Sequence, residues 1–252
     1  SRQIQNSFIL APKTFIKERV SCGDVEILIQ AEKNQNLRDV GISKNPIFTR
    51  GYAEKKNGEF DITTSDSHSF AVDALIDIGG GSDAIILGTH PATSESYEQL
   101  QKESFAVQNT TLTWMRNVGE DWTVECYIYI REFNDDYLYG FKRNYILSTK
   151  PVDFMDAGIL LYCDQEGRIV FEHELKLEVS GLTVGQMQSF NDQFQSEAGV
   201  VEVGKWYHIA FQSELNTDST TERSLFVNGK QIQLEAIQSG VSNLILQENG
   251  LL

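Results

Sequence analysis

The chain has 252 residues, of which 40% are hydrophobic and 23% are charged, which is ordinary for a globular protein. Its 36 acidic and 21 basic residues give a formal net charge of −15, which repels the phosphates of nucleic acids. No stretch approaches the roughly 20 apolar residues that a membrane-spanning helix needs. We therefore expect neither a nucleic-acid partner nor insertion into a membrane.

Short apolar runs alternate with turn residues through residues 1–98, which predicts a β-rich N-terminal region. The strand-like runs are 8–10, 25–30, 47–52, 59–63, 70–78 and 84–87. Residues 30–39 are polar and predict a loop or a single helical turn. Lys55-Lys56-Asn57-Gly58 predicts a hairpin turn that joins the third run to the fourth.

Three consecutive glycines, Gly79–Gly81, open a predicted turn at 79–83, after which 84–87 can pair back on 70–78. Neither G-x-x-x-x-G-K-[ST] nor G-x-G-x-x-G is present, so the glycines indicate a hairpin and not a phosphate-binding loop. Residues 90–101 are polar and include Pro91. They predict a boundary between the N-terminal region and a second region over 103–252.

The second region continues the β pattern, with polar connections between its strands. Its first strand-like runs are 105–114, 122–130, 145–149, 158–163 and 168–179. The last two of these are expected to pair across the turn at 164–167. Residues 132–142 predict a long acidic and aromatic loop. Residues 181–197, rich in Gln and Ser, predict a loop that covers one face of the sheets or is mobile.

Two alternating runs flank a polar loop within residues 201–232. In the first run, period-2 alternation places Trp206, His208 and Ala210 on one side of a strand and Tyr207, Ile209 and Phe211 on the other. The second run, 225–232, contains Asn228-Gly229, which tolerates positive φ and predicts a tight hairpin turn. Antiparallel pairing of these strands follows, with His208 as a packed and hydrogen-bonded core residue.

Three ordered pieces resemble the laminin-G-like, or concanavalin A-like, domains. They are Asp121–Ile130 (DWTVECYIYI), Tyr145–Thr149 (YILST), and the pair GKWYHIA and LFVNGK in 204–230. The resemblance spans residues 103–240 and implies an all-β fold built as an antiparallel jelly-roll β-sandwich. Family members normally add a further strand pair after the V-N-G hairpin. Here only 237–252 follow, so strands from 1–98, a neighbouring subunit or a continuation of the chain would complete the sandwich.

Cysteine and histidine give little sign of a metal or disulfide site. Cys22, Cys126 and Cys163 lie far apart without a C-x-x-C pair, so they predict neither a disulfide scaffold nor a zinc site. Cys126 and Cys163 lie in apolar strand patterns, where a free thiol behaves as a small buried hydrophobic group.

Residues 1–6 lack a signal-peptide pattern, which suits a natural start without export, a mature secreted chain or a cut fragment.

Calcium is a possible cofactor, because it accepts scattered carboxylate, amide and carbonyl oxygens, and laminin-G-like relatives often bind it at a rim of the sandwich. The candidate ligands flank the YILST run; they are Asn134, Asp135, Asp136, Asp153 and Asp156. A solvated acidic loop is the alternative interpretation.

The 133–145 loop is the first candidate for a glycan or protein contact surface. Sugar rings stack on exposed aromatic side chains, while amides and carboxylates bind the hydroxyl groups. The residues concerned are Phe133, Asn134, Tyr137, Tyr139 and Phe141. Packing of two of the four rings in the core is the competing interpretation.

Some concanavalin A-like folds are glycoside hydrolases, which need two suitably placed carboxylates. The nearest match to their E-x-D-x-x-E pattern is Glu172, Glu174 and Glu178, and it lacks the central Asp. No G-x-S-x-G signature occurs either. We therefore expect no enzyme activity and interpret these carboxylates as solvent-facing.

The sequence thus predicts a non-catalytic structural or binding protein. The first setting is a virion component, such as a phage tail-fibre, adhesin or capsid-decorating protein, which forms a homo-oligomer and contacts other virion proteins. The alternative is a glycan-binding domain of a secreted or cell-surface bacterial protein. A glycoside hydrolase is the third interpretation.

Overall fold

The computed structural model describes residues 25, 27–42, 47–50, 52–78, 84–87, 121–133, 143–148, 158–178, 187–215 and 221–239. The chain divides into two compact units, Ser1–His90 and Pro91–Leu252. Every regular element within the described ranges is a β-strand, and all strand pairs are antiparallel. These ranges contain no helix with the length and apolar character needed to cross a membrane.

The first unit consists of paired strands. They are β1 (Ile29–Gln30), β2 (Arg38–Asp39), β3 (Ile47–Arg50), β4 (Glu54–Thr63), β5 (Ser69–Asp77) and β6 (Ala84–Leu87). The pairs are β1 with β2, β3 with β6, and β4 with β5. The β-rich prediction for this region is therefore confirmed for its described residues, and residues 31–37 form a loop between β1 and β2, as one of the two predictions for 30–39 had it.

Two pairings in this unit differ from the sequence prediction. Lys55–Gly58 does not turn the chain but lies inside β4, where the register shifts between Asn57 and Phe60. An Asn-Gly dipeptide inside a strand is accommodated as an irregularity of the ladder, since glycine is compatible with bulge geometry. β6 pairs with β3 and not with the 70–78 run, which pairs with β4 instead.

The second unit contains nine strands in two sheets within the described ranges. They are β7 (Trp122–Tyr129), β8 (Arg143–Ser148), β9 (Gly158–Asp164), β10 (Ile169–Glu178), β11 (Met187–Gln195), β12 (Trp206–Leu215), β13 (Thr221–Val227), β14 (Lys230–Ile232) and β15 (Glu235–Ser239). The order β15-β11-β10-β9-β8 forms a five-stranded sheet, and β14-β13-β12-β7 forms a four-stranded sheet.

The two sheets pack through the apolar faces of their strands, which are the contacts of a β-sandwich. Phe171 of β10 stacks on Phe211 of β12 with ring centroids 4.4 Å apart, and Trp122 of β7 lies 5.9 Å from both rings. Ile159, Ile209, Leu225 and other apolar side chains from both sheets complete the buried cluster. The all-β prediction is confirmed for the described residues, and alternation along each strand explains which side chains face inward.

Residues 187–195 correct the prediction of a loop at 181–197. They form β11, which pairs with β10 over its whole length and with β15 on its other edge. The strand was hidden in the sequence because a buried Asp192 occupies an inward position of the pattern and the outward positions carry Gln and Asn. β15 likewise shows that the chain after the V-N-G hairpin adds a strand to the five-stranded sheet.

Two glycine-containing turns shape the second unit. Asn228 (φ 49°) and Gly229 (φ 76°) form the tight turn between β13 and β14, as the sequence predicted. The carbonyl of Gly167 (φ 72°), between β9 and β10, accepts a hydrogen bond from Val201 N at 2.9 Å. A Cβ on Gly167 would lie 2.1 Å from the Val201 carbonyl oxygen. This close approach ties the turn to the connection between β11 and β12.

Candidate functional site

The outer face of the four-stranded sheet carries five exposed or half-buried rings. One is Phe226, opposite Ala210, and the other four, which we name the aromatic strip, are Tyr127, Tyr129, Trp206 and His208. Tyr129 lies opposite Trp206 with ring centroids 5.4 Å apart, and Tyr127 lies opposite His208 at 4.9 Å. Tyr129 exposes 44% of its surface. The rings therefore form two neighbouring cross-strand pairs on a solvent-facing surface.

Strand alternation explains why the strip exists. On β12, Tyr207 and Ile209 point into the core, so Trp206 and His208 point outward, as the sequence predicted for this run. His208 is half-buried on this outer face, which corrects its prediction as a core residue. Its backbone is held by Asn228, whose Oδ1 accepts a hydrogen bond from His208 N at 2.8 Å.

Glu125 lies two residues before Tyr127, on the same face of β7, and adds negative charge to the strip. Burial raises the pKa of Tyr127, and the Glu125 carboxylate raises it further. Burial lowers the pKa of His208, against the opposite influence of Glu125. At neutral pH the strip therefore presents uncharged rings beside an exposed carboxylate.

The outer face of the five-stranded sheet is organised differently. Glu172 Oε1 accepts hydrogen bonds from Tyr162 Oη at 2.7 Å and from Arg143 Nη2 at 3.0 Å. The Arg143 guanidinium lies 4.4 Å from the centre of the Tyr162 ring, and only Tyr145 among the described aromatics of this face is exposed, at 40%. The polar groups of Glu172, Tyr162 and Arg143 therefore satisfy one another.

This arrangement bears on the hydrolase pattern at 172–178. The register places Glu172 and Glu174 on the same face of β10, where they line a shallow polar depression with Asn191, Gln193 and Gln238. The side chain of Glu172 is only 18% exposed and ion-paired with Arg143, whereas the side chain of Glu178 lies outside the described residues. The paired Glu172 has the contacts of a structural carboxylate.

The interior contains polar side chains as well. The Arg223 guanidinium lies 5.5 Å from the centre of the Phe171 ring and donates to Ser213 Oγ. Burial lowers the pKa of Arg223 to about 10, while Asp192 acts in the opposite direction. Burial also raises the pKa values of the Cys126 and Cys163 thiols to about 12, so both remain protonated.

Most of the sequence-predicted site residues lie outside the described part of the chain. They are Asn134, Asp135, Asp136, Tyr137, Tyr139, Phe141, Asp153 and Asp156, as is Cys22. Phe133 is described and is half-buried against the core. Within the described ranges, no group of three or more His, Cys, Asp or Glu side chains is arranged to hold a metal ion.

The aromatic strip was not among the sequence-predicted contact surfaces. Its signal was present, because Tyr127 and Tyr129 share one face of the 122–130 run and Trp206 and His208 share one face of the 206–211 run. What the sequence lacked was the register that places the second pair opposite the first. Same-face aromatic pairs on two adjacent strands would have identified it.

The chain has little similarity to known proteins. No family model matches it, and no curated protein matches it. One similar solved structure is a chain of botulinum neurotoxin type C, a protein that interacts with two ganglioside molecules. The match has a TM-score of 0.41 and 11% sequence identity, and it covers 88% of this chain but only 41% of the neurotoxin chain. This degree of similarity does not establish a shared fold or function.

Proposed function

We propose that this chain is a non-catalytic binding module, built on a laminin-G-like jelly-roll sandwich, whose aromatic strip binds a glycan. The observation that carries the proposal is the pair of solvent-facing ring contacts, Tyr129 with Trp206 and Tyr127 with His208. The apolar faces of pyranose rings pack on aromatic side chains, and neighbouring polar groups bind the hydroxyls.

The same sheet also offers polar groups. Further along its outer face, the outward positions carry Gln212, Ser224 and Gln231, whose amides and hydroxyl can hydrogen-bond to a sugar. The rings are also dispensable for the core, since the sandwich interior is filled by the opposite faces of β7 and β12. A surface that exposes apolar rings without using them for packing is typical of an interaction site.

A glycan array with the purified chain tests the proposal. We expect binding of at least one glycan, and a loss of about tenfold or more in Trp206→Ala, because stacking on an aromatic ring supplies about 1–3 kcal/mol in comparable platforms. Tyr145→Ala is the matched control, because it removes an exposed tyrosine from the outer face of the other sheet. No binding by the unaltered chain, or equal loss in both variants, contradicts the proposal.

The same array with and without calcium tests the predicted ion. If Asp135, Asp136, Asp153 and Asp156 hold calcium at the rim of the sandwich and the ion takes part in recognition, chelation should abolish binding. If binding persists in the presence of a chelator, the strip acts without an ion.

The absence of catalysis is also part of the proposal. A β-glucan panel should release no reducing sugar, and Glu174→Gln should leave that result unchanged. Hydrolysis that disappears in Glu174→Gln would replace the binding module with a hydrolase whose carboxylates line the depression on β10 and β11.

We propose two settings for the module, as a virion component or as part of a secreted or cell-surface bacterial protein. Light scattering separates them, because a fibre or capsid ornament forms a symmetric homo-oligomer, whereas an isolated binding domain is monomeric.

A further inference from the structure

We infer that the aromatic strip selects uncharged glycans and discriminates against sialylated and sulfated ones. This inference rests on the proposed function and specifies its ligand class. It follows from the charges that the strand register brings to the outer face of the four-stranded sheet, and not from the rings alone.

Three carboxylates share that face. Glu125 lies opposite Ala210, and Glu214 lies directly opposite Glu222 across β12 and β13. The remaining outward positions in the described strands of this sheet carry rings, small side chains or neutral polar groups, and none carries Lys or Arg. Of the three, Glu125 adjoins the strip, two residues before Tyr127, so a ligand lying on the strip meets its negative potential there.

Two basic residues lie at the ends of the strands that carry the strip. Lys205 precedes β12, and its Nζ donates to Glu202 Oε2 at 2.7 Å. Arg131 follows β7 and is exposed. Lys205 thus already has an acidic partner. Neither residue belongs to the ladder positions on which a stacked sugar would rest.

A carboxylate on this face is close enough to a bound sugar to repel a negative charge on it. Unit charges separated by a few ångströms still interact appreciably in a partly solvated setting. A sialic acid or sulfate group on a stacked glycan would be held near Glu125, on a face whose described ladder positions offer no Lys or Arg to offset the repulsion. An uncharged glycan experiences only the ring contacts and hydrogen bonds.

The test uses matched sets of glycans in which one N-acetyllactosamine or β-glucan backbone is presented unmodified, sialylated or sulfated. We expect the unmodified form to bind and the anionic forms to bind about tenfold more weakly at low ionic strength. This difference in affinity between unmodified and anionic glycans should shrink in about 1 M salt, where the Debye length falls to about 3 Å.

Glu125→Gln should reduce the affinity difference between unmodified and anionic glycans about threefold, since it removes the carboxylate beside Tyr127. Glu197→Gln is the control, because it removes the same charge from an exposed position in the connection between β11 and β12. If the affinity difference shrinks equally in both variants, the effect is due to net charge and the inference is overturned.

The outcomes separate the two proposals. Anionic glycans that bind as tightly as uncharged ones, or that depend on Arg131 as shown by a loss in Arg131→Gln, overturn the inference. If the binding of these anionic glycans is still lost in Trp206→Ala, the proposed function stands although the inference fails. If no form of any backbone binds to the unaltered chain, the proposed function fails and the inference fails with it.

Discussion

The outer faces of the two sheets in the second unit use aromatic and acidic side chains for opposite purposes. On the five-stranded sheet, Tyr162 is buried and donates to Glu172, which also pairs with Arg143. On the four-stranded sheet, Tyr129 and Trp206 contact each other and remain accessible. The comparison shows that residue type alone does not mark a binding surface, because burial and hydrogen bonding decide which groups are still available to a ligand.

The largest expected effect is a loss of stability that involves both sheets of the second unit. Gly167→Ala should destabilise the second unit by about 3 kcal/mol or more, because the added Cβ would clash with backbone and the residue has φ 72°. The clash would be with the carbonyl oxygen of Val201, which lies in the connection from β11 of one sheet to β12 of the other. Chemical denaturation of the chain measures the loss.

Gly199→Ala is the matched control for that change. Gly199 also has a positive φ, 78°, but a Cβ there would meet nothing within 4 Å. Only the left-handed backbone penalty of about 1 kcal/mol then applies. Equal losses in the two variants would mean that the turn at Gly167 does not depend on its contact with Val201.

The second prediction separates the inner and outer faces of one strand. Phe211→Ala should lower the free energy of unfolding by about 4 kcal/mol, because the ring is buried and stacked on Phe171. Trp206→Ala, on the outer face of β12, should cost only about 1 kcal/mol in stability while weakening glycan binding about tenfold or more. A stability loss in Trp206→Ala as large as that of Phe211→Ala would show that the strip belongs to the core.

The third prediction exchanges one glutamate on each outer face for glutamine. Glu172→Gln should destabilise the protein by about 1–3 kcal/mol, because Arg143 loses its ion pair and Tyr162 loses its charged acceptor. Glu125→Gln should change stability by no more than about 0.5 kcal/mol and act instead on ligand selection. Equal stability effects would remove the distinction between the two faces.

The sequence was informative wherever one strand face is uniformly apolar. Alternation in 206–211 predicted the inward and outward side chains of β12, and Asn228-Gly229 predicted the β13–β14 turn. Both depend on local chemistry, namely the period of a strand and the tolerance of positive φ. The all-β fold could be predicted for the same reason.

Prediction failed where tertiary context overrides local pattern. β11 was missed because Asp192 is buried at an inward position, and the Asn57-Gly58 turn was wrong because β4 continues through it to pair with β5. The aromatic strip needed the β7–β12 register, which no single segment specifies. Pairing partners depend on contacts between distant segments, so one sequence without structure leaves them open.

The smallest expected effect concerns the titration of His208. Burial lowers its pKa in the folded protein, whereas an unfolded chain shows a histidine pKa of about 6.5. Below about pH 6.5 the unfolded state therefore binds more protons than the folded state, and stability falls as the pH drops towards the folded pKa. Denaturation at a series of pH values should show this loss in the unaltered chain and less of it in His208→Gln.

Glu125 provides the link between this titration and the strip. Its carboxylate raises the pKa of His208 against the effect of burial, so Glu125→Gln should lower that pKa further and extend the stability loss to lower pH. An NMR titration of the His208 ring in both forms measures the shift directly. If the His208 pKa lies at or above its ordinary value even in Glu125→Gln, burial does not lower it and the ring is solvated rather than packed on Tyr127. The outer face of the four-stranded sheet would then lack the paired rings that distinguish it from the face around Glu172.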